Sequence, residues 1–378
     1  MAFSSDIKIG VLGGGQLGRM LVQSAMDFNL DLCVLDPDPE APCNGLVKDF
    51  QIGKLTDYET VYQWGKDKDL ITIEIENVNL EALEKLEAEG KKIFPQPRVV
   101  RIIQDKRLQK QFYQEHGIPT SDFVLVEGKD HLHQHVEFLP AFQKLGKGGY
   151  DGKGVQRMVS AKDFENALDG PGLLEKLVDF DKEISVIVAR NESGEIVTFP
   201  SVEMVFNPVH NLVEFQFSPA EISKELEAEA KEIAVRIIEK LGMVGLLAVE
   251  MFLTKEGKIL VNEVAPRPHN SGHQTIEGNL TSQYEQHLRA VLGLPLGDTA
   301  SVMISAMVNL LGEAGYNGPA KYEGADQVLG LKGVYLHLYG KSLTKPFRKM
   351  GHVSILDDSV ESIRRKADII KNTLKVIA

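Results

Sequence analysis

Cysteine is nearly absent from this chain of 378 residues, with Cys33 and Cys43 its only two. Two thiols build neither a disulfide framework nor a zinc-ligand cluster, and they suit a reducing compartment. No apolar run reaches membrane-spanning length and no signal-peptide pattern is seen, so the expected location is the cytoplasm, with no membrane partner. Internal repeats and low-complexity tracts are lacking too. Basic residues are in deficit, 42 against 54 acidic, for a net charge of -12. That balance argues against a nucleic-acid surface and leaves room for a local basic pocket around a small anion. Small molecules are therefore the expected partners. What is present is ordinary: 43% apolar and 25% charged residues describe a soluble protein, long enough for two or three domains.

Residues 1 to about 105 alternate short apolar runs (IKIGVL, LCVLD, LITIEI, KIFP) with helical stretches such as NLEALEKLEAEG, the pattern of an open parallel α/β sheet of Rossmann type. From about 120 to 217 strands and turns take over, and EISVIVARNESGEIVTFPSVEMV predicts antiparallel hairpins in a mobile subdomain. SPAEISKELEAEAKEIAVRIIEKLG predicts a helix capped by Ser218, with Pro219 in its first turn, Glu221 completing a capping box and Gly242 stopping it. Beyond about 298, short strands around GVYLHLYG and GHVSIL precede a closing helix at VESIRRKADIIKNTLKV. HLHQH at 131–135 has the composition of a metal tract but reads as part of an ordinary helix before a strand. The fold class is α/β joined to α+β.

VLGGGQLGRM carries the spacing Gly13-x-Gly15-x-x-Gly18 between a strand-like run and a helix, with Asp36 after a second apolar run. Taken alone this dinucleotide fingerprint predicts a nicotinamide oxidoreductase. Its physical content is narrower: glycines let backbone approach a phosphate, and the helix N-terminus offers it unpaired N–H groups.

VGLLAVEMFLTKEGKILVNEV predicts a hairpin. A turn at Glu256-Gly257, or over Lys255 to Lys258, sets Glu250 directly across from Glu263, with the carboxylates about 5 Å apart. Opposed like charges destabilise a sheet unless a cation sits between them or one stays protonated, and oxygen ligands of this kind suit Mg2+. The alternative is a pair of solvated glutamates at a sheet edge. Beyond the strand, NEVAPRPHNSGH brings Arg267, His269 and Asn270 close behind Glu263, a set that fits an anion beside a metal. A second glycine-rich loop, KLGKGGYDGKG at 144–154, can fold its amides over phosphate oxygens with charge from Lys144 and Lys153, although it lacks the P-loop ending.

In order along nearly the whole chain, GGGQLGRM, QDKRLQK, KGGYDGKG, VEMF, NEVAPRPHNSGH and KPFRKMGH resemble the N5-carboxyaminoimidazole ribonucleotide synthetase family, a purine-biosynthesis branch of the ATP-grasp superfamily. The resemblance implies an ATP-grasp architecture: a Rossmann-like domain at 1–105, an ATP-grasp region at 106–297 with a lid at about 120–190, and a C-terminal domain at 298–378. It implies ATP-driven reaction of bicarbonate with 5-aminoimidazole ribonucleotide through carboxyphosphate, with ATP and Mg2+ as cofactors and a homodimer as the assembly. By the same resemblance Lys106 and Lys144 hold ATP phosphates, and the loop Gly149, Tyr150, Asp151, Gly152, Lys153, Gly154 closes over them. Glu175 and Glu183 meet the adenine side and the ribose, while Glu250 and Glu263 hold Mg2+. Asn262 belongs to the same motif, yet strict strand alternation turns it away from Glu263. Arg267 screens the triphosphate, His269 and Asn270 hold the carboxyl fragment, and Asp151, with Tyr150 beside it, binds and deprotonates the amine. The turn at Gly15, Gln16 and Leu17 then lies near the substrate's 5′-phosphate, clamped by Lys341 and Arg348. Lys106 stands where some relatives have arginine, and Phe206 where some have histidine. Glu76 ends a strand at the ligand side of the first sheet, able to meet a ribose or cap the next helix.

Other readings remain open at this stage. A ligase joining another carboxylate to a ribonucleotide amine shares the ATP apparatus. A nicotinamide oxidoreductase leaves the Glu250/Glu263 pair without a purpose, and a non-catalytic nucleotide-binding regulator leaves the metal and phosphate residues without one.

Overall fold

The computed structural model describes residues 4–148, 154–206 and 213–378. Three sheets of four or more strands organise them. The first is five-stranded and parallel, in the order Asp49–Ile52, Leu32–Asp36, Ile9–Leu12, Leu70–Ile73, Lys92–Ile93. Its central strand IGVL is buried throughout, as expected of a parallel strand covered on both faces. Strand order reverses between Ile9–Leu12 and Leu70–Ile73, and the crevice outside their carboxyl ends is where open α/β sheets bind ligands. Gly13 to Gly15 and Glu74 follow those two ends directly.

A small antiparallel sheet runs Phe123–Val126, Gly172–Lys176, Ala141–Leu145, Val155–Met158 around its own core of Val126, Ala141, Met158, Phe164 and Leu174. It accounts for a shorter stretch than the lid expected at about 120–190, because Phe180–Arg190 belongs to the central sheet instead. That central sheet has nine strands among the described residues, running from Ile259–Ala265 through Gly245–Thr254, Phe180–Arg190, Val202–Phe206 and Val213–Ser218 into Ile304–Leu311, Lys349–Asp357 and Val334–Leu338. The ninth, Ile196–Thr198, pairs beside Phe180–Arg190. Three strands from beyond residue 298 thus continue the same sheet.

Two helix ends differ from expectation. The long helix is Lys224–Leu241 and its cap is Ser223, whose side chain accepts from the Leu226 N–H; Gly242, in the left-handed region at φ 54°, ends it as expected. Ser218 instead closes the strand Val213–Ser218, where its backbone pairs with Ser305. The final helix stops at Thr373, and Lys375–Ile377 forms a strand against Lys321–Glu323. HLHQH lies in 3-10 turns kinked at His135, and no cluster of three or more His, Cys, Asp or Glu side chains suited to a metal occurs among the described residues.

Candidate active site

The hairpin of Gly245–Thr254 and Ile259–Ala265 sets the geometry. Its tip is a three-residue turn, Lys255 to Gly257, with Gly257 at φ 79° and pairing Leu253 with Ile259. That register is one residue off the expected one. A bulge between Met251–Val261 and Glu250–Glu263 restores it, leaving Asn262 as the extra residue. Glu250 and Glu263 are therefore opposed as expected, but through a three-residue turn and a bulge acting together. The bulge also corrects the expectation for Asn262. Its Oδ1 lies 3.5 Å from Lys144 Nζ, while Lys106 Nζ lies 2.9 Å from Glu263 Oε2, so both residues reach the same cleft.

The Lys106 ammonium, opposing whatever burial costs it, holds Glu263 down at about 2. Glu250 is pushed up to about 8, first by burial and then by the charges of Glu263 and Glu183. Burial, then Glu263, raises Glu183 to about 7. Burial and mutual repulsion thus drive Glu250 and Glu183 toward neutrality beside the ionised Glu263.

Lys106 opens the helix Lys106–Glu115, capped by Asp105, and Lys110 follows one turn later on the same face. Lys110 and Lys144 grip the Glu175 carboxylate at 2.6 and 2.5 Å, and Ser121 donates its hydroxyl to it. Burial pushes Glu175 up, but the two ammonium groups overcome it and bring the carboxyl to about 2. The Glu175 carboxylate, expected at the adenine side, faces these two lysines. Lys110 is absent from the sequence-based set, although its spacing of four from Lys106 puts it on one face with it. Gly149, Tyr150, Asp151, Gly152 and Lys153 lie outside the described residues. Gly154, at φ 71°, gives its carbonyl to the Leu145 N–H. Phe206 ends the strand Val202–Phe206.

Beyond the hairpin, Arg267 Nε pairs with Glu76 Oε1 at 2.9 Å. Asn79, and not Glu76, caps the next helix. His269 Nε2 lies 3.5 Å from Glu250 Oε1, and burial, then the Arg267 charge, lowers its imidazole to about 3. Asn270 opens the short turn after it, its carbonyl accepting from Gln216 Nε2 at 2.7 Å.

At the glycine turn, the amides expected to face a 5′-phosphate are engaged by a protein carboxylate. Gly15 N–H donates to Glu74 Oε2 and Leu17 N–H to Glu74 Oε1, each at 3.2 Å. Asp36, the acid of the dinucleotide fingerprint, is turned inward onto the Gly14 N–H at 2.6 Å. Gln16 Oε1 accepts from Lys341 Nζ at 3.0 Å, so the C-terminal cation does reach the turn. Burial and then the charge of Arg348 push Lys341 down to about 8. Arg348 itself donates to the Leu343 carbonyl at 2.6 Å.

Three family models match in series: the ribonucleotide synthetase preATP-grasp domain over residues 7–104, the ATP-grasp domain over 111–284, and the phosphoribosylaminoimidazole carboxylase C-terminal domain over 305–366. N5-carboxyaminoimidazole ribonucleotide synthase of Bacillus subtilis is 40% identical over 371 residues, covering 95% of this chain and 94% of that enzyme. The chain belongs to the N5-carboxyaminoimidazole ribonucleotide synthase family. Among solved members, the Thermotoga maritima synthetase superposes with a TM-score of 0.90 at 42% identity, over 98% of this chain and 99% of that one. The Aspergillus clavatus synthase, in complex with ADP and 5-aminoimidazole ribonucleotide, gives 0.86 at 32% identity, over 97% and 99%. The ATP-grasp fold with its preATP-grasp and C-terminal domains is thus that of an ATP-grasp ligase family.

Proposed function

We propose that the chain carboxylates 5-aminoimidazole ribonucleotide with bicarbonate and ATP, a ligase step of purine biosynthesis that releases ADP and phosphate. The observation that carries this reading is the junction at Arg267. Its ion pair with Glu76 brings the lysine and carboxylate cleft of the hairpin against the ligand edge of the parallel sheet, so a nucleotide half and a ribonucleotide half meet across one guanidinium.

In this reading Lys106 and Lys144 take the ATP phosphates, and the loop from Gly149 to Gly154 closes over them. Glu175 and Glu183 meet the adenine side and the ribose, and Glu175 also fixes the heading of Lys144. Opposed carboxylates, one pushed up to about 8, suit a hard divalent cation. Glu250 and Glu263, with Asn262 beside them, would hold Mg2+, which supplies charge neutralisation at the triphosphate when bound. Bicarbonate oxygen attacks the γ-phosphorus and ADP leaves, giving carboxyphosphate, which breaks to carbon dioxide and phosphate as the hydroxyl proton passes to the phosphate. His269 and Asn270 hold the carboxyl fragment while Arg267 balances its charge. The substrate amine bonds to the carbon and gives its proton to Asp151. Lys341, Arg348 and the turn at Gly15 to Leu17 hold the 5′-phosphate, for which the inward Glu74 carboxylate must yield or share the amides. Closure excludes water that would hydrolyse the intermediate. A homodimer in the cytoplasm accompanies the reading; no helix among the described residues is long and apolar enough to cross a membrane.

The test is ADP release by purified protein. It should need ATP, Mg2+, bicarbonate and the ribonucleotide together, and ignore NAD(P). Hydride transfer to NAD(P) without ATP turnover would overturn the assignment.

A further inference from the structure

We infer that Gln283 is a positioning residue, which with Ser271 holds His269 as an Nε2–H hydrogen-bond donor toward the hairpin carboxylates. The inference rests on the reading that His269 holds the carboxyl fragment, and it gives that side chain one role among the two an imidazole can play.

Gln283 is the first residue of the helix Gln283–Val291 and is fully buried. Both ends of its carboxamide engage one residue. Oε1 accepts from the His269 N–H at 2.8 Å, and Nε2 donates to the His269 carbonyl at 2.7 Å. This is the two-way exchange that a neighbouring antiparallel strand would make, supplied here by a side chain. The surroundings are built for it. A Cβ on Gly272 would lie 2.5 Å from Gln283 Cδ, so only glycine lets the amide lie there. Thr275 Oγ1 accepts the Gln283 N–H at 2.9 Å and donates to the Gly272 carbonyl at 2.6 Å, fastening the helix start to the same loop. Asparagine falls short of both atoms, glutamate puts an oxygen against the His269 carbonyl, and an apolar side chain leaves both peptide groups without their partner.

With its backbone held, the ring is oriented by Ser271. The Ser271 N–H donates to His269 Nδ1 at 3.2 Å, and the Ser271 hydroxyl lies 2.9 Å from the same nitrogen, with Ser185 Oγ 2.8 Å behind it. A backbone N–H can only donate, so Nδ1 is the accepting nitrogen and Nε2 carries the proton. Nε2 points to Glu250 Oε1, 3.5 Å away. In that tautomer His269 offers a hydrogen bond to an anionic carboxyl oxygen and does not take the proton from the substrate amine. Proton acceptance is left to another group, as the role of Asp151 requires.

The test uses the full chain with 15N in its histidine rings, comparing wild type, Gln283→Met and Gln283→Glu, with His269→Gln to identify the His269 signals. Wild type should show His269 Nδ1 unprotonated and Nε2 protonated. Both Gln283 variants should show a second tautomer, and carbamate formed per ADP should fall about tenfold while the KM for ATP stays within about twofold. Nδ1–H in wild type overturns the inference, even if neither variant folds. Unchanged ring signals and unchanged carbamate per ADP in a folded Gln283→Met also overturn it. A wild type with the Nε2–H signature that forms no carbamate supports the assignment of the ring and overturns the proposed activity instead.

Discussion

Glu74 is the residue around which the glycine turn is shaped. A Cβ on Gly13 would stand 2.6 Å from Glu74 Oε2, and one on Gly15 closer still to Oε1, so these glycines make room for a carboxylate of the protein itself. The motif is legible in the sequence and this use of it is not, because the partner comes from a different strand, 59 residues on from Gly15. The same applies to Lys110, Glu76 and Gln283, whose roles depend on contacts across elements. Burial pushes the Glu74 carboxyl from its ordinary 4.5 up to about 7. Its folded value is the higher, so between those two the folded chain keeps a proton that the unfolded chain releases. Stability therefore falls as pH rises through that window. Glu74→Gln removes this titration, so the variant should gain on wild type from pH 4.5 to 7. Urea midpoints across that range measure it, and a constant difference would show that Glu74 does not titrate this way.

At the scale of the hairpin, two small irregularities set what the site can do. The three-residue turn fixes the register at the tip and the bulge at Asn262 fixes it at the cleft. Their effects should therefore separate. Gly257 sits at φ 79°, so Gly257→Ala should lower stability by about 1 kcal/mol through backbone strain while leaving turnover near wild type. Deleting Asn262 should do the opposite in kind: Glu263 stays opposite Glu250, but the bulge that bends the strand and the Asn262 contact with Lys144 are lost, costing about a hundredfold in turnover. Equal losses of turnover in the two would mean that the bulge does not govern the site. Periodicity alone makes the strands and the opposition of Glu250 and Glu263 legible. The bulge is not, since one extra residue leaves no mark on an alternating pattern. The helix start shows a similar limit: both Ser218 and Ser223 precede helical spacing, and only the pairing of Val213–Ser218 with the distant strand Ile304–Leu311 decides between them.

Across the whole molecule, residues far apart in the chain meet at the glycine turn. Lys341 reaches Gln16, 325 residues earlier, and three C-terminal strands extend the sheet that carries the hairpin. Two motifs of the sequence reading end in histidines that serve this junction: His273 and His352 have ring centroids 4.7 Å apart, each accepting or donating a 3.0 Å hydrogen bond with a buried tyrosine, Tyr284 and Tyr339. If the junction holds a phosphate, Arg348→Ala should weaken ribonucleotide binding by about 2 to 4 kcal/mol. Binding of ATP and of the dephosphorylated riboside should barely change. Calorimetric titration with both ligands decides it, and equal weakening of both would remove Arg348 from the phosphate. The central claim, that ATP drives one carbon from bicarbonate onto the ribonucleotide amine, is tested most directly by supplying 13C-bicarbonate and counting labelled carbamate against ADP. The predicted result is one labelled carbamate per ADP, with neither formed when the ribonucleotide is replaced by its riboside at the same concentration. ADP released at the wild-type rate with no label on the ribonucleotide would contradict it.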